Sequence, residues 1–206
     1  MKFKKVSIFI LLLICLTIFV PAAIGQQTQP PGRELKAFKE LLANINASFT
    51  FPDGFNEVKP VSTEKFPCHY DLKLPDGDFE IRFQVNQLKN EWKNYDASQS
   101  DKVNPDSLYS KVAAAEVKNL AGDGKVFARN MPQRVLDQYN ADLGRSYFLN
   151  LANSAEANPN NYQFALLVVL QKNHLGYFTV LCMGNERGPE FFKNLNKLKD
   201  CLKFNN

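Results

Sequence analysis

The sequence has few of the residues and spacings that build metal sites. Its 206 residues include only two histidines, His69 and His174, which lie 105 positions apart. It contains no Cys-x-x-Cys or His-x-x-x-His pair and no Asp-rich calcium loop, the spacings by which most such sites are recognised. We therefore expect neither a metal ion nor any other cofactor.

Catalytic motifs are also missing. There is no glycine-rich phosphate loop and no Gly-x-Ser-x-Gly nucleophile elbow. Cys68 and His69 are adjacent, but neighbouring side chains on a strand point to opposite faces and cannot form a thiolate–imidazole pair. His174 falls in a predicted turn, where a solvated imidazole is usual. We expect a non-enzymatic protein with no catalytic residues; an enzyme of unrecognised type is the alternative.

A leader-like segment opens the chain. Lys2, Lys4 and Lys5 precede an apolar run over 8–20, and small residues stand before Gln26, which is typical of a cleaved signal peptide spanning residues 1–25. The run is shorter than the about 20 residues of a transmembrane helix, so an uncleaved anchor is the less favoured alternative. The sequence predicts an extracytoplasmic protein, periplasmic or secreted.

The charge that remains after the leader is nearly balanced. The whole chain has 25 basic and 21 acidic residues, and loss of the three leader lysines leaves 22 and 21. Nucleic-acid binding calls for a strongly basic patch, which this balance does not favour. No later stretch is long and apolar enough to cross a bilayer. We expect the partner to be a protein or a small ligand, and neither nucleic acid nor membrane.

Three cysteines follow the leader, an odd number for an oxidising compartment. A helix is predicted from residue 189 to 202, which would place Cys201 about 18 Å along it from its start near Cys182, beyond disulfide reach. If a bridge forms, we expect it to involve Cys68, with Cys201 as its favoured partner. Three buried free thiols are an equally good alternative.

Beyond a polar, proline-rich tether at 26–32, residues 33–206 are predicted to form a single domain. Apolar and polar residues alternate over 70–74 and 79–85, on either side of a turn at 75–78. The alternation predicts a hairpin with one buried face and one exposed face. The exposed face would carry the polar side chains Asp71, Lys73, Glu80, Arg82 and Gln84.

The remaining pattern supplies helices and a central pair of strands. Helices are predicted at 33–45, 105–120, 132–139 and 189–202, and a long exposed loop at 91–104. The uniformly apolar runs 164–170 and 177–182 predict strands covered on both faces. The fold class is therefore α+β, with a mostly antiparallel sheet flanked by helices on both faces, an α/β/α sandwich.

The most interesting polar group lies between a helix and an apolar strand. Tyr139, Asn140 and Asp142 occupy this loop, and loop residues often carry function. We regard them as the candidate binding residues of a small-molecule or peptide carrier. The alternative is that Asn140 ends the helix and Asp142 caps the next turn.

The order of elements resembles the PsbP-like α/β/α fold. The resemblance rests on the hairpin at 70–85, an inserted helix, two late core strands and a closing helix ending near residue 204. The segment 139–144, Tyr-Asn-Ala-Asp-Leu-Gly, is similar to one found in uncharacterised exported bacterial proteins. The resemblance covers residues 47–204 and implies a non-catalytic scaffold used in assembly or binding. No diagnostic motif aligns, so no family site residues are carried over.

Overall fold

A seven-stranded antiparallel sheet forms the centre of the protein, in the order β2-β3-β4-β8-β7-β6-β5, and β1 pairs with β9 in a second, two-stranded sheet. The computed structural model describes residues 32–64, 66–98, 103–152 and 158–206. These belong to one compact unit. The predicted signal peptide at 1–25 and the predicted tether, apart from Gly32, lie outside the described residues.

The strands alternate in direction, and every pair in the large sheet is antiparallel. Their bounds are β1 Ala47–Phe49, β2 Asn56–Val58, β3 Tyr70–Lys73, β4 Phe79–Gln87, β5 Val126–Asn130, β6 Leu143–Asn150, β7 Phe164–Lys172, β8 Gly176–Gly184 and β9 Leu202–Phe204.

Helices lie on both faces of the large sheet. They are α1 Arg33–Ala43, α2 Lys89–Ser98, α3 Leu108–Ala121, α4 Gln133–Gln138 and α5 Pro189–Asn196, with a 3₁₀ turn at Pro105–Ser107. Within the described parts of the chain, no helix combines the length and the apolar character that a membrane span needs.

The two-residue period of β8 divides the interior into two cores. Phe178, Val180 and Cys182 face a core to which α1, α4 and α5 contribute, which we call the first core. Tyr177, Leu181 and Met183 face the second core, which α2 and α3 cover. The α+β class with helices on both faces is therefore confirmed.

Local sequence signals specify several elements correctly. The hairpin over β3 and β4 is present, and so is the hairpin of the two central apolar strands β7 and β8. Asn104 begins the helical segment as expected, because its Oδ1 accepts the Asp106 N–H at 2.8 Å.

The prediction of a solvent-exposed polar face on the first hairpin is wrong. Asp71, Glu80, Arg82 and Gln84 are buried. Arg82 Nε lies 3.2 Å from Asp71 Oδ2 and 2.7 Å from Glu80 Oε1. Asn160 Nδ2 donates to Glu80 Oε2 at 2.7 Å. The polar alternation therefore marks a buried ion cluster, which the period of a strand cannot distinguish from a wet face.

Two further predictions need correction. Most of the expected loop at 91–104 belongs to α2, where Trp92 Nε1 lies 3.3 Å from Asp106 Oδ1 and the indole lies 4.0 Å from the His174 ring. The last helix ends at Asn196 instead of residue 202, because the chain beyond it forms β9. Strand β9 pairs with β1, and the sequence pattern predicted neither strand.

Glu116 is a buried carboxyl group on the second-core side of the sheet, and its burial can be tested. This α3 side chain is 4% exposed, and neither carboxylate oxygen has a hydrogen-bond partner within the described residues. Burial raises the pKa of Glu116 from 4.5 to about 7. The folded chain then binds this proton more tightly than the unfolded chain. The stability it contributes is complete below pH 4.5 and is lost as the pH rises through 7.

We predict that Glu116→Gln removes this part of the pH dependence. Between pH 5 and pH 7 the wild type should lose on the order of 1 kcal/mol of unfolding free energy per pH unit more than the variant. Urea unfolding across this range measures the difference. The exposed substitution Glu40→Gln serves as control and should follow the wild type. Parallel curves for Glu116→Gln and wild type would contradict the buried, protonated carboxyl.

Candidate functional site

An apolar cavity lies on the first-core face of the sheet. Its volume is about 220 Å³. Central strands form its floor, where β7 and β8 place lining residues side by side in the pairs Leu166–Cys182, Val168–Val180 and Leu170–Phe178.

The roof of the cavity comes from two other parts of the chain, one before the floor strands and one after them. Met131 lines it between β5 and α4, Val135 lines it from α4, and Tyr139 lines it just past the end of that helix. Leu195 lines it from α5, and the turn after α5 contributes Leu198, Lys199 and Cys201.

This cover is incomplete. Leu166, Val168 and Val180 lie on the two central strands but keep intermediate exposure, whereas their same-face neighbours Phe178 and Cys182 are buried. Apolar side chains in the middle of a sheet are normally covered on both faces. The cavity therefore opens to solvent above these three residues.

The polar groups of the lining are few. Lys199 is the charged residue among the lining residues, and its Nζ lies 4.0 Å from Asp200 Oδ2. Burial raises the pKa of Tyr139. Burial likewise raises the pKa of Cys182, and raises that of Cys201 to about 12. The two thiols and the phenol are thus neutral at physiological pH, so neither sulfur has the thiolate character of a nucleophile.

The loop predicted to bind a ligand lies at the edge of this cavity. Tyr139 lines it, whereas Asn140 and Asp142 meet at Lys172. The Lys172 ammonium lies 3.3 Å from Asn140 Oδ1 and 3.1 Å from Asp142 Oδ1. Asp142 Oδ2 also accepts the Asn173 N–H at 2.9 Å. These contacts join the loop to the end of β7.

The same loop holds the C-terminal strand. Asn140 Nδ2 donates to the Asn205 carbonyl at 2.6 Å, and the Tyr139 carbonyl accepts the Phe204 N–H at 3.1 Å. Asn140 itself has a φ of 50°, in the left-handed region. The structure thus gives the loop contacts to distant parts of the chain; its part in ligand binding stays a prediction.

All three described cysteines are free and buried, which is the alternative weighed beside a Cys68–Cys201 bridge. Cys68 belongs to the second core and Cys201 to the first. The geometric argument that separated Cys182 from Cys201 is wrong, because α5 ends early and the chain turns back. Both residues line the same cavity.

The two histidines lie apart from the cavity lining. His69 Nδ1 accepts the Val85 N–H at 2.9 Å, and burial lowers the pKa of His69. His174 Nε2 lies 4.0 Å from Asp106 Oδ2, and its side chain is exposed. Over the described ranges, no three His, Cys, Asp or Glu side chains are grouped closely enough to hold a metal ion.

The sequence pattern identified the floor strands, Tyr139 and the helix that carries Leu195, but not the cavity between them. The apolar runs that form the floor were identified, but as fully covered strands. Val135 and Leu195 lie in predicted helices, but apolar residues on short helices usually pack against a core, so they did not indicate a cavity. The gap between roof and floor depends on how far α4 and α5 stand from the sheet, which periodicity does not encode.

Comparison with known protein families finds no match to this chain, and no curated protein sequence matches it. Among solved structures, it is similar to cyanobacterial PsbP (CyanoP) from Synechocystis sp. PCC 6803, determined in solution. The two share 10% identity over 78% of this chain and 88% of the other, with a TM-score of 0.38. This is a likeness of fold alone, and no property of that protein is carried over to this chain.

We predict that Asn140→Ala and Asn140→Gly differ in stability. Both variants lose the amide contacts to Asn205 and Lys172, but only alanine is strained at a positive φ. Asn140→Ala should therefore be less stable than Asn140→Gly by about 1 kcal/mol, as measured by chemical unfolding. Equal midpoints would argue against the left-handed conformation.

Proposed function

We propose that this protein is an exported, non-enzymatic binding protein that carries a small apolar ligand in the cavity between β7, β8 and the C-terminal segment. The observation that supports this most directly is the solvent-accessible apolar floor of Leu166, Val168 and Val180 in the middle of the sheet. Ligand pockets are typically concave and mostly apolar, with a few polar groups that orient the ligand.

The size of the cavity limits the ligand. A dry engineered cavity of about 150 Å³ binds benzene, and this cavity measures about 220 Å³. A molecule somewhat larger than one aromatic ring therefore fits, such as a fused two-ring compound or a short acyl chain. Lys199 offers a donor for one acceptor group on the ligand.

The predicted loop has a defined place in this proposal. Tyr139 would touch the ligand, while Asn140 acts through the roof, since it holds the C-terminal strand through Asn205. Asp142 would keep Lys172 and the end of β7 in place. The loop would thus position the cavity walls more than it would contact the ligand.

The chemistry of the lining favours binding over catalysis. A nucleophile needs a neighbouring base or a lowered pKa, whereas burial raises the pKa of both Cys182 and Cys201. The signal peptide predicted at 1–25 supports an extracytoplasmic location for the carrier.

The proposal predicts that filling the cavity abolishes binding. 1-Naphthylamine, a two-ring fluorophore whose emission shifts in apolar surroundings, serves as the probe with the purified protein. Val168→Phe adds a ring to the floor and should weaken probe binding by at least about tenfold, a loss of roughly 1.4 kcal/mol. The wild type should also gain thermal stability from the probe, since a ligand that binds only the folded state stabilises it.

The matched control is Val103→Phe, which makes the same substitution at an exposed position away from the lining. Its affinity for the probe should equal that of the wild type. No binding to the wild type, or equal binding to both variants, would refute the apolar carrier.

A further inference from the structure

We infer that two copies of this chain associate through their β5 strands, in antiparallel register about a twofold axis at Ala128. The inference rests on the edge of the sheet and is independent of the cavity and its ligand.

The first observation is that β5 is an open edge. It is the last strand of the large sheet, and all five of its residues, Val126–Asn130, are exposed. The strand contains no proline and pairs with β6 without a bulge. Proteins usually protect such edges with prolines, bulges or inward charges, because an unpaired strand is a template for another strand.

The backbone hydrogen bonds show which N–H and C=O groups of β5 do not pair with β6. The Met131 N–H donates to the Gly144 carbonyl at 2.9 Å, and the Lys125 carbonyl accepts the Asn150 N–H at 3.1 Å. Hydrogen-bonded and non-hydrogen-bonded positions alternate in an antiparallel pair. The N–H and C=O groups of Val126, Ala128 and Asn130 therefore point away from β6, towards the open edge.

These outward groups match a second β5 in one register. With Ala128 opposite Ala128 of the second copy, Val126 stands opposite Asn130, and every outward N–H and C=O of these residues meets its complement. The intervening positions then form close, non-hydrogen-bonded pairs in which Phe127 stands opposite Arg129 of the second copy.

The Phe127–Arg129 pairing is chemically complementary. Phe127 is 56% exposed, a large apolar surface for a single side chain. Phe127 and Arg129 lie on the same face of the strand, because their partners Phe148 and Ser146 are two residues apart on β6. Each Arg129 could then lie against the Phe127 ring of the other copy, a cation–π contact. A twofold axis makes the contact twice.

The local surroundings already place a cation at this ring. The Arg187 guanidinium lies 6.0 Å from the Phe127 centroid and 4.4 Å from that of Phe148. A second guanidinium from the other copy would approach from the open side of the strand. This self-complementarity favours a second copy over an unrelated extended peptide.

Single-cysteine crosslinking tests the register. Ala128→Cys puts two cysteines opposite each other at a Cα separation of about 5.5 Å, within disulfide reach. Asn130→Cys is the matched control, since residue 130 stands opposite 126 and lies about 13 Å along the strands from its counterpart. The described native thiols are buried, so they should not compete.

The experiment uses the purified exported protein with oxidised glutathione, which takes two electrons and two protons from the thiol pair and is itself reduced. We expect a disulfide-linked dimer for Ala128→Cys and little for Asn130→Cys. Equal crosslinking of both variants, or none for Ala128→Cys in protein that remains folded by circular dichroism, would overturn the inference.

Association of the otherwise unmodified chain provides the second measurement. Arg129→Glu removes both cation–π contacts and should weaken dimerisation about tenfold in sedimentation equilibrium. Arg134→Glu, the same charge reversal at an exposed site on α4, should leave the dimer unchanged. A wild type that stays monomeric at its highest soluble concentration, or equal weakening by both reversals, would contradict the proposed interface.

Discussion

The pairing of β8 with β4 and β7 is the constraint on which the rest of the structure depends. These ladders run the whole length of β8, from Gly176 to Gly184. Gly176 allows this close approach, since a Cβ there would stand 2.3 Å from the Asn86 carbonyl oxygen. Once β8 is held on both sides, its two-residue period assigns each neighbouring side chain to one core or the other. This register places the cavity floor on the first-core face and the buried Arg82 cluster on the opposite face.

The two faces of the sheet are packed differently, one with aromatic rings and the other partly with buried charged groups. The first core packs aromatic rings, with Phe38 stacked on Tyr70 at 4.8 Å and Phe79 edge-on to Phe191 at 5.2 Å. The second core buries Arg82 completely between two carboxylates. Burying charge is costly, and a pair of this kind gives weak support to stability because desolvation offsets the attraction. Burial and the nearby Glu80 charge raise the pKa of Asp71, while Arg82 opposes them.

The cavity and the open edge both lie towards the β5 side of the sheet. Helix α1 packs its apolar side chains, such as Phe38, against the rings of Tyr70 and Phe83 on β3 and β4. Towards β5 the cover comes from α4 and α5, which have six and eight residues. Short helices cover less of a sheet than one long helix, so apolar floor remains accessible there. No strand of the described residues pairs with the outer side of β5. The proposed ligand site and the proposed contact between copies would therefore use separate parts of this surface.

Local patterns in the sequence were sufficient for most elements. Alternation identified the β3–β4 hairpin, continuous apolar runs identified β7 and β8, and Asn104 marked the start of the helical segment at 105–121. Each of these features is determined by residues that lie close together in the sequence. The short strands β1 and β9 were missed, because each has three residues and pairs with a segment more than 150 positions away.

The location of the candidate site depended on contacts between distant segments. The same alternation that predicts a hairpin is compatible with a solvated polar face or a buried one, and in the folded chain this face is buried. Likewise, the sequence shows that 164–170 and 177–182 are apolar but not that their cover is incomplete. Periodicity specifies which side chains share a face, whereas the distance between a face and its covering helices follows from packing of the whole chain.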